Sequence, residues 1–189
     1  MDIITVQHRQ AGLKGKHLRK NGYVPGVIFG GSLDASVPVQ VDEAAARRMM
    51  RTMREGTKVT LELDGEQTLA QIKEIDIERL TGTALHFSFQ ALRKEQMVNS
   101  VVHILLKNAE KMVGQVDRLL MEAPYASLPE DMIDTLTIDV DGMSVGTVIT
   151  LADLPELRSD RIELHMDAAT MVLRIVENGR PAYPRQAAE

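Results

Sequence analysis

The chain has 189 residues, 26% of them charged, with no cysteine, no tryptophan and a formal net charge of −5. That length buries a core in one large or two modest domains without staples. The lack of thiols excludes disulfides and thiolate metal sites and suits a reducing compartment. No stretch approaches the ~18 consecutive apolar residues of a membrane span, and Met1 to Thr5 lacks the basic and apolar run of a secretion signal. The expectation is a soluble, unexported, cytoplasmic protein.

In chain order, Ile3 to Arg9 alternates, with Ile4, Val6 and His8 on one side and Thr5, Gln7 and Arg9 on the other. This predicts a half-buried strand whose polar side offers Gln7 and Arg9 to a partner. Lys14 to Gly31 then reads K-G-K-H-L-R-K-N-G-Y-V-P-G-V-I-F-G-G. Lys14, Lys16, Arg19 and Lys20, with His17 among them, place four positive charges within seven residues and no acid to neutralise them. Such a basic loop seeks anions. Asn21-Gly22 turns the chain, Pro25 fixes φ, and Val27 to Phe29 predicts a short buried strand ended by Gly30-Gly31.

Val37 to Val41 predicts a strand, and Asp42 stands as N-cap to a helix over 43–55 closed by Gly56. Ala45, Met49, Met50 and Met53 form its apolar face. Arg47, Arg48, Arg51 and Arg54 lie largely opposite and read as a solvated face, with a nucleic-acid stripe as the second reading. Lys58 to Leu63 and Thr68 to Ile77 pair across Asp64-Gly65, a strong hairpin signal. After a turn at Thr81-Gly82, Ala84 to Gln90 predicts a strand with Leu85, Phe87 and Phe89 inward and His86, Ser88 and Gln90 outward.

The polar stretch Leu92 to Met97 coincides with a break in charge. Residues 1–95 hold 14 Lys and Arg against 12 Asp and Glu, a balance of +2, while residues 96–189 hold 8 against 15, a balance of −7. A domain boundary is therefore placed there, giving units at 1–94 and 95–177 and a loose tail at 178–189. In the second unit, Val98 to Leu106 predicts a strand and Met112 to Glu122 a strand or short helix. Thr135 to Val140, Val148 to Leu154 and Met171 to Ile175 predict further strands, with a turn at Asp141-Gly142. Aromatic content is only 3%, which argues against an aromatic-paved single-strand surface and for groove recognition by polar side chains.

Catalytic and metal chemistry finds no support. His8, His17, His86, His103 and His165 are dispersed, without the spacing of a metal helix. Gly12 to Lys16 lacks the spacing of a phosphate loop, and no nucleophile elbow occurs. Glu130, Asp131, Asp134, Asp139 and Asp141 lack the loop pattern of a calcium hand and read as a solvated face. No catalytic residue, metal or cofactor is assigned.

The run L-R-K-N-G-Y-V-P-G-V-I-F-G-G resembles the large-subunit ribosomal protein family numbered twenty-five, whose longer members include the stress-induced Ctc proteins. The family pattern is roughly L-R-x-x-G-x-V-P-x-V-x-Y-G, fitted by Leu18, Arg19, Gly22, Val24, Pro25, Val27 and Gly30, with Phe29 in place of tyrosine. Thr81, Gly82, His86 and Phe89 fit T-G-x-x-x-H-x-D-F, with Ser88 in place of aspartate. The family's Q-R-D-P is replaced by Asp76-Ile77-Glu78-Arg79. Leu128-Pro129-Glu130-Asp131 and the segment from Asp139-Val140 to Val145-Gly146 resemble the family's second domain.

The resemblance implies a mainly β protein with a few helices: an N-terminal small β-barrel that binds RNA, then a C-terminal β-rich domain. It implies a structural ribosomal protein bound to 5S ribosomal RNA in the large ribosomal subunit. Gln7, Arg9, Lys14, Lys16, His17, Arg19, Lys20, Phe29, His86 and Ser88 would form the RNA surface, and other ribosomal proteins would meet the acidic domain. The departures at Phe29 and Ser88 favour, as the alternative, a stress-related or protein-interaction factor with weakened ribosome binding.

Overall fold

The computed structural model describes residues 3–111 and 114–177; the expected tail lies outside them. The described residues are mainly β with two α-helices. The N-terminal part comprises β1 (Ile3–His8), α1 (Gly15–Lys20), β2 (Tyr23–Gly30), β3 (Val37–Asp42), α2 (Glu43–Thr52), β4 (Lys58–Leu63), β5 (Glu66–Ile77) and β6 (Ala84–Ala91). Its six strands close a barrel in the order β1-β3-β2-β6-β5-β4, sealed by parallel pairing of β1 with β4. Closure leaves no free sheet edge.

Period-two patterning fills the barrel. Ile4, Val6, Val39, Val41, Val59, Leu61, Ile72, Phe87 and Phe89 are all buried. Phe87 and Phe89 stack with ring centroids 5.9 Å apart, within the range of favourable ring pairs. The β4–β5 hairpin turns on Asp64 (φ 52) and Gly65 (φ 86), the two positive φ values of the tight turn that the Asp-Gly pair foretells. Asp42 caps α2, its Oδ1 accepting from the backbone N–H groups of Ala44 and Ala45 at 2.9 and 3.3 Å.

Several expectations are corrected. The basic loop is a helix, α1, held by burial of Leu18 and not by a local cap, since Lys14 makes no side-chain cap bond. β2 starts four residues before Val27 and takes in Pro25. α2 stops at Thr52, short of Glu55, and its buried positions are Ala46 and Met49. Leu85 is only half-buried because it falls in the register shift between the Asp76–His86 and Ile77–Ala84 pairs, where Ala84 is buried instead.

The C-terminal part forms two sheets. One is ordered β10-β7-β9-β12, from β7 (Val98–Lys107), β9 (Glu122–Ser127), β10 (Thr135–Asp139) and β12 (Ile162–Leu164); the other is β11-β13-β8, from β8 (Gln115–Arg118), β11 (Val148–Thr150) and β13 (Met171–Val176). β9 and β12 are not foreseen by the strand patterning. The expected strand over 148–154 breaks after Thr150, because the Asp153 carboxylate accepts from both the Thr150 backbone N–H (2.8 Å) and its hydroxyl (2.7 Å), folding a 3-10 turn. Of the stretch 112–122, residues 112–113 lie outside the described residues and the rest gives β8 and the start of β9. Tyr125 anchors this core: its hydroxyl donates to the Ile133 carbonyl at 2.9 Å and accepts the Ile133 N–H at 2.7 Å. Burial pushes its phenol pKa up, against these hydrogen bonds.

The two parts meet through polar contacts around the α2–β4 loop. Lys58 Nζ donates to the Pro129 carbonyl (2.7 Å) and Gln71 Nε2 to the Asn99 carbonyl (3.0 Å). The His103 ring Nε2 lies 2.8 Å from the Glu55 carbonyl. Asp134 accepts the Lys58 backbone N–H at 3.3 Å. Burial holds the Asp134 carboxyl above the usual carboxylate range, against the lowering by that hydrogen bond and by the Lys58 and His103 charges. A carboxyl whose folded pKa exceeds its unfolded value binds its proton more tightly when folded, so stability falls as pH rises through that interval. Asp134→Asn, which keeps the Oδ1 acceptor, should therefore raise the melting temperature by a few degrees at neutral pH. The gain should vanish near pH ~3, below the ordinary carboxylate value. Thermal melts at both pH values check it, and equal gains would exclude charge burial as the cause.

Candidate nucleic-acid interface

Strand register decides which predicted residues share a face. Gln7 pairs with Gln40, and Gln40 with Pro25. Val27 pairs with Ser88 and Phe29 with Gln90, while on the other side of β6 His86 pairs with Asp76 and Ser88 with Glu74. Since alternate residues point outward, Gln7, Phe29, His86 and Ser88 all lie on the outer face of the curved sheet β1-β3-β2-β6-β5. Arg9 follows directly on β1. Gln40 Nε2 donates to Gln7 Oε1 at 3.3 Å, and its own Oε1 accepts the Gln10 N–H at 3.2 Å. This amide ladder fixes Gln7 in place.

Helix α1 is fastened to that face at both ends. Arg9 Nη2 donates to the Leu13 carbonyl and Arg19 Nη1 to the Leu85 carbonyl, each at 3.0 Å. Arg9 and Arg19 thus position the basic segment, Arg19 through a carbonyl and not through an acid. Lys14, Lys16, His17 and Lys20 are exposed. A neighbouring cationic wall comes from α2, where Arg47 is held by Glu43 at 2.6 Å and Arg51 is exposed. The arginine row Arg47, Arg48, Arg51 and Arg54 is exposed, as a solvated face requires. α1 and α2 flank one cleft lined by Lys16, Lys20, Arg47 and Arg51.

Two features bear against the strand face. Glu74 and Asp76 are exposed and stand directly across from Ser88 and His86. Phe29 lies in the row of Gln90 and Gln71, and Gln71 is fully buried beneath Asn99 of β7. Phe29 therefore sits where the free face gives way to the second domain. The carboxylates are legible in the sequence as residues, but their placement depends on irregularities in β5 between Ile72 and Glu74 and between Asp76 and Ile77.

Among the described residues no group of three or more potential ligands could hold a metal, and no helix is long and apolar enough to cross a membrane. The arrangement offers cations, amides, an imidazole and hydroxyls on a convex surface: the chemistry of phosphate and groove-edge contacts.

Comparison with known proteins gives two adjoining matches. Residues 4–89 match the Ribosomal L25p family, and residues 97–178 match the Ribosomal protein TL5, C-terminal domain. The chain is 30% identical over 159 residues to the large ribosomal subunit protein bL25 of Desulfitobacterium hafniense, covering 81% of this chain and 87% of that protein. It is 29% identical over 169 residues to bL25 of Akkermansia muciniphila, covering 87% and 82%. With bL25 of Nitrosomonas europaea it shares 25% over 178 residues, covering 87% and 88%. A barrel with a fastened basic helix, followed by a β-rich second domain, is thus matched along nearly its whole length, and the chain belongs to the ribosomal L25p family of non-enzymatic large-subunit ribosomal proteins.

Proposed function

We propose that the barrel binds 5S ribosomal RNA within the large ribosomal subunit, in the cytoplasm. The observation that carries this reading is the pair of arginine-to-carbonyl bonds, Arg9 to Leu13 and Arg19 to Leu85, that clamp a cationic helix beside an outward polar strand face. Lysines of α1 meet phosphates and set register, while Gln7, His86 and Ser88 face the wide, shallow minor groove of an RNA helix and its 2′-hydroxyls. The units taken are 1–94 for RNA and 95–177 for protein neighbours. The second carries excess acid, which repels phosphate and suits basic ribosomal proteins. Mobility shift with purified 5S RNA against an unrelated duplex RNA tests the reading; equal affinity for both, or none for either, rejects it.

His86 and Ser88 give a finer test. His86→Ala should weaken 5S RNA binding several-fold, since no neighbour replaces the imidazole. An aspartate at 88 would exchange a neutral hydrogen bond of about 0.5–1.5 kcal/mol for a charged one of about 1.5–3. Glu74 lies directly across from it, however, and like charges at a cross-strand pair repel. Ser88→Asp is therefore expected to tighten binding by about 1 kcal/mol only when combined with Glu74→Gln. Titrations of the three variants at one salt concentration decide it, and unchanged affinity for His86→Ala would remove this face from the interface.

Glu74 and Asp76 also favour a second reading, in which the chain keeps the family fold with reduced affinity for the ribosome and acts as a protein-interaction or stress factor. A dissociation constant far weaker than that of a bL25 measured alongside would support it.

A further inference from the structure

The cleft between α1 and α2 has a volume of about 810 Å³, within the range of small-molecule sites, about 300–1,000 Å³. Its floor is apolar, formed by Val24, Ala46, Met50 and Leu85. Lys16 and Lys20 stand on one wall and Arg51 on the other, exposed, whereas Arg47 is taken up by Glu43. At the β5–β6 end lie the Glu78 carboxylate and two hydroxyls, Thr81 and Thr83, 2.7 Å apart. A solvated surface groove needs no apolar floor under a cationic rim. A nucleotide needs both, the floor for its base and the rim for its phosphates.

The placement of the rings points the same way. The chain has three tyrosines and three phenylalanines. Phe87, Phe89 and Tyr125 are fully buried. Of the phenylalanines and tyrosines among the described residues, Tyr23 and Phe29 leave a ring within reach of a base, and Tyr23 lines this cleft. Stacking on an aromatic or apolar platform is what draws an unpaired base out of a strand.

We propose that the cleft receives a single nucleotide extruded from the bound RNA, its base lying against Tyr23 and Met50 and its phosphates against Lys16, Lys20 and Arg51. The inference rests on the RNA-binding reading and adds a place and a base preference to it. Glu78 offers only acceptor atoms, so it favours guanine, whose imino N–H and exocyclic amine present two adjacent donors to one carboxylate, over uracil, which presents a single imino N–H. Extrusion costs a few kcal/mol in a regular duplex and less at an unpaired or mismatched position. The nucleotide is therefore expected from an irregular segment of the RNA.

A cycle of single abasic substitutions in 5S RNA against the cleft-filling variant Met50→Trp tests this. At one position, loss of the base should weaken wild-type binding about tenfold, the worth of one stacked base. Met50→Trp should bind intact RNA about as weakly and be indifferent to that same abasic site, with its salt dependence unchanged. Glu78→Ala, at the cleft mouth, repeats the cycle without altering the packed floor and should couple to the same position. Binding with full salt dependence but no coupled position for either variant would overturn the cleft assignment and leave the RNA reading standing. Absence of any RNA binding would overturn both. Occupation of the cleft by free guanosine monophosphate, without abasic coupling, would also overturn it.

Discussion

Gly56→Ala should destabilise the protein by about 2–5 kcal/mol: about 1–2 for a left-handed backbone carrying a side chain and about 1–3 for forcing atoms into filled space. Gly56 has φ +85, and a Cβ there would lie 2.5 Å from the Val101 carbonyl oxygen and 3.0 Å from Ser100 Oγ. Both are on β7, the first strand of the second domain, so the backbone of the α2–β4 loop touches that strand with no room for a methyl group. The loop is also committed in other directions. The Gly56 N–H donates to the Ile72 carbonyl at 2.8 Å, and its carbonyl accepts from Ser100 Oγ at 3.3 Å. A shift that relieves the clash must break one of these. Gly65 supplies the control: its φ is +86, but nothing lies within 4 Å of its Cβ position. Gly65→Ala should therefore cost only the backbone part. Urea denaturation of the two variants separates the terms, and equal losses would mean that the domains are not in close contact at Gly56.

This contact bears on how the halves behave when separated. A fragment ending at 94 would expose the Gln71 amide, whose Nε2 now donates to Gln90 Oε1 (2.9 Å) and to the Asn99 carbonyl. It would also free Lys58 from the Pro129 carbonyl. The barrel core itself contains no residue of the second part. The fragment is therefore expected to fold with a lower melting temperature than the whole chain, losing junction contacts and not its core.

Much of the barrel was legible in the residues because its signals are local. Asp64-Gly65 forces a tight turn, Asp42 caps the helix that follows it, and alternation along β1, β4 and β6 assigns each side chain a face. Helix α1 was not legible. Six residues that include Gly15 and three basic side chains in the last turn, without a cap, carry no local helix signal; a buried Leu18 and the Arg19 bond to Leu85 supply from afar what the segment lacks. The turn after Thr150 was legible in principle, since Thr150 and Asp153 have the spacing of a capping box and Pro155 stops a strand. Placement of Glu74 and Asp76 across from Ser88 and His86 was not, because it follows from a strand register that two irregularities shift. Family resemblance located His86 and Ser88, but only pairing shows what stands across from them.

Removing Lys14, which precedes α1, together with Lys16 and Lys20 within it should produce the largest change in binding. Lys14, Lys16 and Lys20 are exposed, and among the described residues no ion pair or hydrogen bond engages their ammonium groups. They are free to displace counterions from phosphates. Each phosphate contact contributes about 0.9 to the slope of log K against log salt on a duplex. The triple variant to alanine should thus lower the slope's magnitude by about 2.7, which near 0.15 M salt amounts to about two decades in affinity. Folding should be unaffected, because alanine favours the helix at least as well as lysine does and the anchoring residues Leu18 and Arg19 are untouched. Arg19→Ala is the informative contrast. It removes a charge of the same sign but also the bond to the Leu85 carbonyl, so it should lower the melting temperature as well as the affinity. Fluorescence titrations of labelled 5S RNA at four or five salt concentrations give the slopes. A triple variant whose slope matches the wild type would place the phosphates elsewhere, with the α2 arginines Arg47, Arg48 and Arg51 the next cations to remove.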